Sequence, residues 1–123
     1  MKPPDQWLPP PAANNIAVDR TVLAGISCGK ASVERELIML FRRLNDEDMM
    51  KLHKAVTEGD MALAVDASHR ISGASGMIGA IGLATVCGRV EAAGRASDLT
   101  AVKANMPAFD EEVERVYACL DSI

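Results

Sequence analysis

The chain has 123 residues, the size of a single domain. Apolar residues make up 49% but aromatic ones only 3%, so the core must be built from Leu, Ile, Val, Met and Ala, a palette that favours helices over sheets. A net charge of −4 and a pI of about 5.1 come with no basic stripe, which removes the electrostatic footprint of nucleic-acid binding.

Residues 1–15 read as a Pro-rich linker or tail, and 16–123 as the folded domain. Pro3, Pro4, Pro9, Pro10 and Pro11 forbid regular hydrogen bonding, and Trp7 and Leu8 sit among them. A short first helix is expected from about Asp19, a plausible N-cap, to Cys28, ended by Gly29. A long second helix follows from about Lys30 to Glu58, with Leu37, Leu40, Phe41, Leu44, Leu52 and Val56 as its apolar stripe. Asn45-Asp46-Glu47-Asp48 interrupts the pattern without a Gly or Pro, so the helix runs through or kinks there. Gly59 supplies the stop and Asp60 the next N-cap.

The third helix is expected from about Met61 to Ile78, with Leu63, Ala67, Ile71, Ala74 and Ile78 facing the core. The fourth runs from about Ala80 to Arg95 on Leu83, Cys87 and Val90. The fifth runs from about Leu99 to Leu120 on Val102, Met106, Phe109, Val113, Val116 and Leu120, with Pro107 expected to kink or divide it. Short connections make sequence neighbours antiparallel. The expected fold is all-α: an antiparallel up-down four-helix bundle with a short extra N-terminal helix.

The uncharged run from Ile71 to Gly88 approaches the length of a membrane span, but it is crowded with glycine and lacks sustained Leu/Ile/Val density. Two buried helix halves meeting near Gly79 account for it better. Cys28, Cys87 and Cys119 are odd in number and widely spaced, so free thiols in a reducing compartment are expected. The N-terminus shows no apolar secretory segment.

The candidate functional residue is His69. Helical residues advance by about 100° each, so His69 stands roughly 160–200° from both Ala67 and Ile71, on the face opposite the core stripe. Ala62, Val65 and Asp66 precede it there, and Ser72, Gly73 and Gly76 follow. Gly73, Gly76, Gly79 and Gly82 recur at every third position. Each glycine inside a helix costs roughly 0.8–1 kcal/mol relative to alanine, and close approach of another surface around His69 is expected to offset that cost.

Other chemistry fits less well. His53 lies among Lys51, Leu52 and Lys54 with no cleared surface and reads as solvated. The two histidines lack acids or cysteines at metal-ligand spacing. The glycine run has no Gly-Lys-Ser/Thr and no preceding strand, so it is not a phosphate loop. A Ser72–His69 nucleophile pair would still need an orienting acid and an oxyanion hole on a convex helix.

The stretch Ser68 to Glu91 resembles the histidine-containing phosphotransfer (HPt) domains of two-component phosphorelays. The matching positions are His69, Ile71, Gly73, Ala74, Ser75, Gly79, Ala80, Leu83, Cys87, Val90 and Glu91. Gly59-Asp60, Asn45 and Asp48 also fit the pattern, and the likeness spans about Asp19 to Ile123. One position departs: the family commonly has Lys three residues after the histidine, where this chain has Ser72. Arg70 or the Ser72 hydroxyl is the expected substitute in holding phosphoryl charge.

The resemblance implies a phosphocarrier. His69 would take a phosphoryl group from a receiver-domain aspartate and pass it to another receiver, with Ala62, Val65, Asp66, Gly73 and Gly76 as the docking surface. It implies no cofactor bound by this chain; Mg²⁺ would come with the receiver. The implied partners are response-regulator receiver domains and a parent or cognate hybrid sensor histidine kinase, with no nucleic acid and no membrane insertion of this domain. The implied location is cytoplasmic, and no autonomous kinase or phosphatase activity is expected. The alternative is an unphosphorylated HPt-like module that docks on a receiver or kinase and regulates it.

Overall fold

A computed structural model describes residues 16–123, and the Pro-rich stretch 1–15 lies outside the described residues. Five helices follow in order: α1 (Arg20–Ser27), α2 (Ala31–Glu58), α3 (Met61–Met77), α4 (Ile81–Arg95) and α5 (Leu99–Asp121). Three of them start on an aspartate. Asp19, Asp60 and Asp98 accept from the backbone N–H groups of Thr21, Leu63 and Ala101, each at 3.0 Å, which satisfies donors that a helix N-terminus leaves unpaired. Gly59 ends α2 in the left-handed region at φ 69°. α1 ends one residue earlier than its glycine suggests, on Cys28 at φ 54°.

The polar stretch Asn45–Asp48 stays helical within α2. Pro107 does not divide α5. Both Pro107 and Lys103 are exposed, so the Lys103 carbonyl, deprived of its usual donor, lies on the water side of the helix. The run Ile71 to Gly88 is split by the turn between α3 and α4. Among the described residues no helix is long and apolar enough to cross a membrane.

The expected inner face of α5 is buried in full. On α4, Leu83, Cys87 and Val90 are buried as expected, together with Val86. Burial of Cys87 pushes its thiol up to about 12, and all three cysteines are free. Two stripes are turned from their expected positions. On α2 the buried face is Ile38, Phe41, Asn45, Leu52 and Ala55. Leu40 and Leu44 are 43% and 40% exposed, and Leu37 and Val56 only partly buried. The arc of apolar residues on α2 is wider than the surface its neighbours cover.

On α3 the buried set is Ala64, Ala67, Ser68, Ile71 and Ser75, with Ile78 at the C-cap. Leu63 and Ala74 are only partly buried. The reason is the neighbour: α3 and α4 share the most extensive contact in the molecule, and small side chains let two helices come close. The buried Ser68 hydroxyl causes no deficit, because it donates to the Ala64 carbonyl at 2.6 Å.

The glycine run divides into two kinds. A Cβ at Gly79 would lie 2.5 Å from the Asp19 carbonyl oxygen, and its φ is +83°. The Asp19 N–H donates to the Gly79 carbonyl at 2.8 Å, pinning the start of α1 to the α3–α4 turn. A Cβ at Gly82 would lie 2.8 Å from Glu112 Oε2. These two are therefore explained inside the fold, not by an approaching partner. Gly73 and Gly76 have nothing within 4 Å of the Cβ position. Gly79→Ala should destabilise the protein by about 1–3 kcal/mol, the cost of a strained backbone. Gly73→Ala should be neutral or stabilising by up to about 1 kcal/mol. Urea unfolding of the two variants checks this, and equal effects would contradict it.

Candidate functional site

His69 sits in the middle of α3, and its side chain is 69% exposed, as its angle from Ala67 and Ile71 requires. The close packing of α3 on α4 brings Glu91 against it. His69 Nδ1 lies 3.1 and 3.3 Å from the two Glu91 carboxylate oxygens. A carboxylate only accepts, so this contact assigns the proton to Nδ1 and leaves the Nε2 lone pair turned away from the helix pair.

Glu91 is itself held. Arg95, one turn on, donates to Glu91 Oε2 from Nε at 3.0 Å and from Nη2 at 2.8 Å. The hydrogen bonds from Arg95, and after them the bond to His69, keep the Glu91 carboxyl below the usual range against the opposing effect of partial burial. The sign follows: the pairing stabilises the folded chain at neutral pH and is lost as pH falls through that lowered value. Gly94 permits this close fit, since a Cβ there would lie 2.8 Å from Val65 Cγ2.

The expected docking residues surround the imidazole. Ala62, Asp66 and Gly73 are exposed, and Val65 and Gly76 partly so. Met61, Ala62, Val65, Gly94, Arg95 and Ser97 line a shallow groove of about 520 Å³. Met77 and Ile81, 64% and 53% exposed, stand at the adjoining ends of α3 and α4. Sequence reading named neither of them.

The two groups expected to assist have other partners. Arg70 donates from Nε to Asp48 at 3.1 Å and from Nη1 to Asp66 at 2.7 Å. The Asp48 hydrogen bond is the main reason that its guanidinium holds its proton more firmly still. The Ser72 hydroxyl donates to the Ala84 carbonyl at 3.2 Å. Asp66 is therefore both exposed and engaged. His53 is not merely solvated: its Nε2 lies 3.0 Å from Asp110 Oδ1, and its ring meets Phe109 edge-on at 6.1 Å.

Sequence reasoning placed Glu91 in a motif but gave it no role, and it missed Arg95. The missing information is the register of α4 against α3. Once that register is known, Glu91 and Arg95 at i,i+4 on the facing side of α4 are readable as a pair. No group of three His, Cys, Asp or Glu side chains able to hold a metal occurs among the described residues.

A family model described as Hpt domain matches residues 36–119. None of the curated proteins matches the chain. The crystal structure of histidine-containing phosphotransfer protein B (HptB) from Pseudomonas aeruginosa PAO1 is similar, with a TM-score of 0.80 and 24% identity. It covers 86% of this chain and 92% of that one. At that identity the likeness speaks for the fold alone.

If Glu91 sets the ring, wild-type His69 should carry its neutral-form proton on Nδ1. Glu91→Ala should shift it toward the Nε2 form. Long-range proton–nitrogen correlation spectra read the tautomer directly, and an unchanged ring in the variant would remove Glu91 as its orienting group.

Proposed function

The chain belongs to the Hpt domain family, carriers in phosphorelays rather than kinases, and we propose that His69 is its phosphoryl acceptor. The phosphoryl donor is a receiver-domain aspartate, and a second receiver aspartate is the acceptor in turn. The observation that carries this reading is one exposed imidazole with Nδ1 held by Glu91 and bare glycine backbone beside it.

The chemistry balances without a proton leaving the site. The Nε2 lone pair attacks phosphorus, an N–P bond forms, and the bond from phosphorus to the aspartyl oxygen breaks with departure of the carboxylate. The product is a phosphoimidazolium whose positive charge lies against Glu91. Onward transfer is the reverse step, with neutral imidazole as the leaving group. Such transfer depends on in-line positioning and charge neutralisation more than on covalent assistance.

The charge next to His69 favours Arg95 over Arg70 as the group that meets the phosphoryl oxygens. Two carboxylates already offset Arg70. Arg95 gives Nε and Nη2 to Glu91, and Nη1 remains available to a phosphoryl oxygen. Ser72 acts through Ala84, by fixing α3 on α4 beside the histidine. The receiver docks over Ala62, Val65, Asp66, Gly73 and Gly76 and brings its own Mg²⁺. The four long helices of this reading form an up-down bundle that presents one face of α3 to the partner. Within a hybrid sensor kinase, the domain would be the cytoplasmic module that links two receivers.

Incubation with a phosphorylated receiver and Mg²⁺ should add one phosphoryl group, acid-labile and alkali-stable by intact mass, to wild type and not to His69→Gln. Labelling of His69→Gln would overturn the assignment. No labelling of wild type by several receivers would leave a docking-only module. Gly73→Leu should keep its helix content and slow transfer strongly. Arg95→Ala should slow it by about 10- to 100-fold, the loss of one charge-assisted hydrogen bond of about 1.5–3 kcal/mol.

A further inference from the structure

The chemistry of His69 leaves the outward face of α2 unused. That face lies opposite the buried Phe41, Asn45 and Leu52 and carries three large apolar side chains. Met39 and Met50 are 70% and 75% exposed, and Leu40 is half-exposed. Glu36, Arg43, Glu47 and Lys54 share the face and are exposed as well. All seven fall within about 100° of arc.

The charges on the flanks of α2 are already matched within the chain. Asp48 accepts from Arg70 of α3, Arg42 donates to Asp121 of α5, and His53 pairs with Asp110 of α5. The four charges of the outward face differ: none makes a hydrogen bond or ion pair among the described residues. Exposed apolar side chains set among unmatched charges of both signs are the composition of a contact surface, with apolar area to bury and ion pairs to complete.

The order of these residues says what fits. Glu36, Leu40, Arg43, Glu47, Met50 and Lys54 step alternately by four and three, the repeat of a seam between two helices. Two shallow hollows lie along it. One, of about 320 Å³, is lined by Glu36, Met39, Leu40 and Arg43. The other, of about 450 Å³, is lined by Glu47, Met50, Lys51 and Lys54. They stand at equal distances on either side of position 45, and reversing one over the other matches every lining residue. Glu36 meets Lys54, Arg43 meets Glu47, Leu40 meets Met50, and the Lys51 stem covers Met39. A parallel pairing in register would instead set each charge against its like.

We infer that the outward face of α2 docks a second copy of this chain, α2 antiparallel to α2, with the two-fold axis at the level of Asn45. In such an isologous pair every contact occurs twice. The Arg43–Glu47 pairs lie nearest the axis, the Leu40–Met50 layers flank them, and the Glu36–Lys54 pairs close the ends. The seam from Glu36 to Lys54 is about 27 Å long at 1.5 Å per residue. One helix seam of that length makes a small interface, so the association is weak and depends on concentration. The inference is independent of the role of His69.

Sedimentation equilibrium of the full chain should show a mass that rises from 13.1 kDa toward twice that value with loading concentration. Arg43→Glu and Glu47→Arg should each weaken association by about 10-fold or more, since each places two like-charge pairs across the axis, while circular dichroism holds. Mixing the two single variants should restore it, because every Glu then faces an Arg of the other chain. The double variant Arg43→Glu/Glu47→Arg, which keeps opposite charges at both positions, should associate within about 3-fold of wild type, a difference of less than 1 kcal/mol. A monomeric mass up to about 1 mM would overturn the inference. So would a dimer that neither reversal weakens, which places the contact on another face, or folded single variants that stay monomeric when mixed.

Discussion

The site depends on how closely α3 approaches α4. Ala64, Ala67, Ser68 and Ser75 are small and buried on α3, and on α4 Gly94 seats the Val65 side chain. At that separation a glutamate on α4 spans to the ring of a histidine on the solvent-facing side of α3. Larger residues along the seam would move the helices apart, and Glu91 would meet water instead of Nδ1. The geometry of the imidazole is thus a product of core packing, although the imidazole lies outside the core.

Much of this was legible in the sequence. Asp19, Asp60 and Gly59 placed helix ends, and the spacing of Val102 to Leu120 placed one helix face correctly. The angle between His69 and its neighbours Ala67 and Ile71 gave its exposure without any structure. Three things were not legible. The apolar arc of α2 is broader than the area its neighbours cover, so periodicity could not tell the buried Ile38 from the half-exposed Leu40 and Leu44. Asn45 and Ser68 look polar in the sequence but are buried: the Asn45 amide nitrogen donates to the Tyr117 hydroxyl and the Ser68 hydroxyl to the Ala64 carbonyl, while Asn45 Oδ1 has no partner among the described residues. The glycines share one spacing but not one reason. Gly79 answers a turn and Gly82 a carboxylate, while Gly73 and Gly76 face open space.

Arg70 shows why proximity in sequence is a weak guide to electrostatic role. It follows His69 directly, yet the same 100° step that turns His69 outward carries Arg70 toward α2 and Asp48. Its charge then joins two helices and is matched by Asp48 and Asp66. Arg95 is far from His69 in sequence and is linked to it through Glu91 because α4 returns alongside α3. Charges near a helical site are sorted by tertiary register, which no local motif encodes.

On the reading proposed for His69, the pairing of Glu91 with Arg95 bears on how a carrier could both take and give. A carboxylate behind Nδ1 stabilises the cationic phosphoimidazole but repels the phosphoryl oxygens, so by itself it pulls in opposite directions. A guanidinium anchored to that same carboxylate offsets the repulsion while keeping the ring's counter-charge in place. On the proposed reading, this offset leaves the direction of transfer to the receiver that is docked. A lysine tethered beside the histidine on the same helix would favour the phosphorylated form more directly. Here the cation stands on α4 and is bonded to Glu91, so the role proposed for it depends on the same close approach of α3 and α4 that sets Glu91 against the ring.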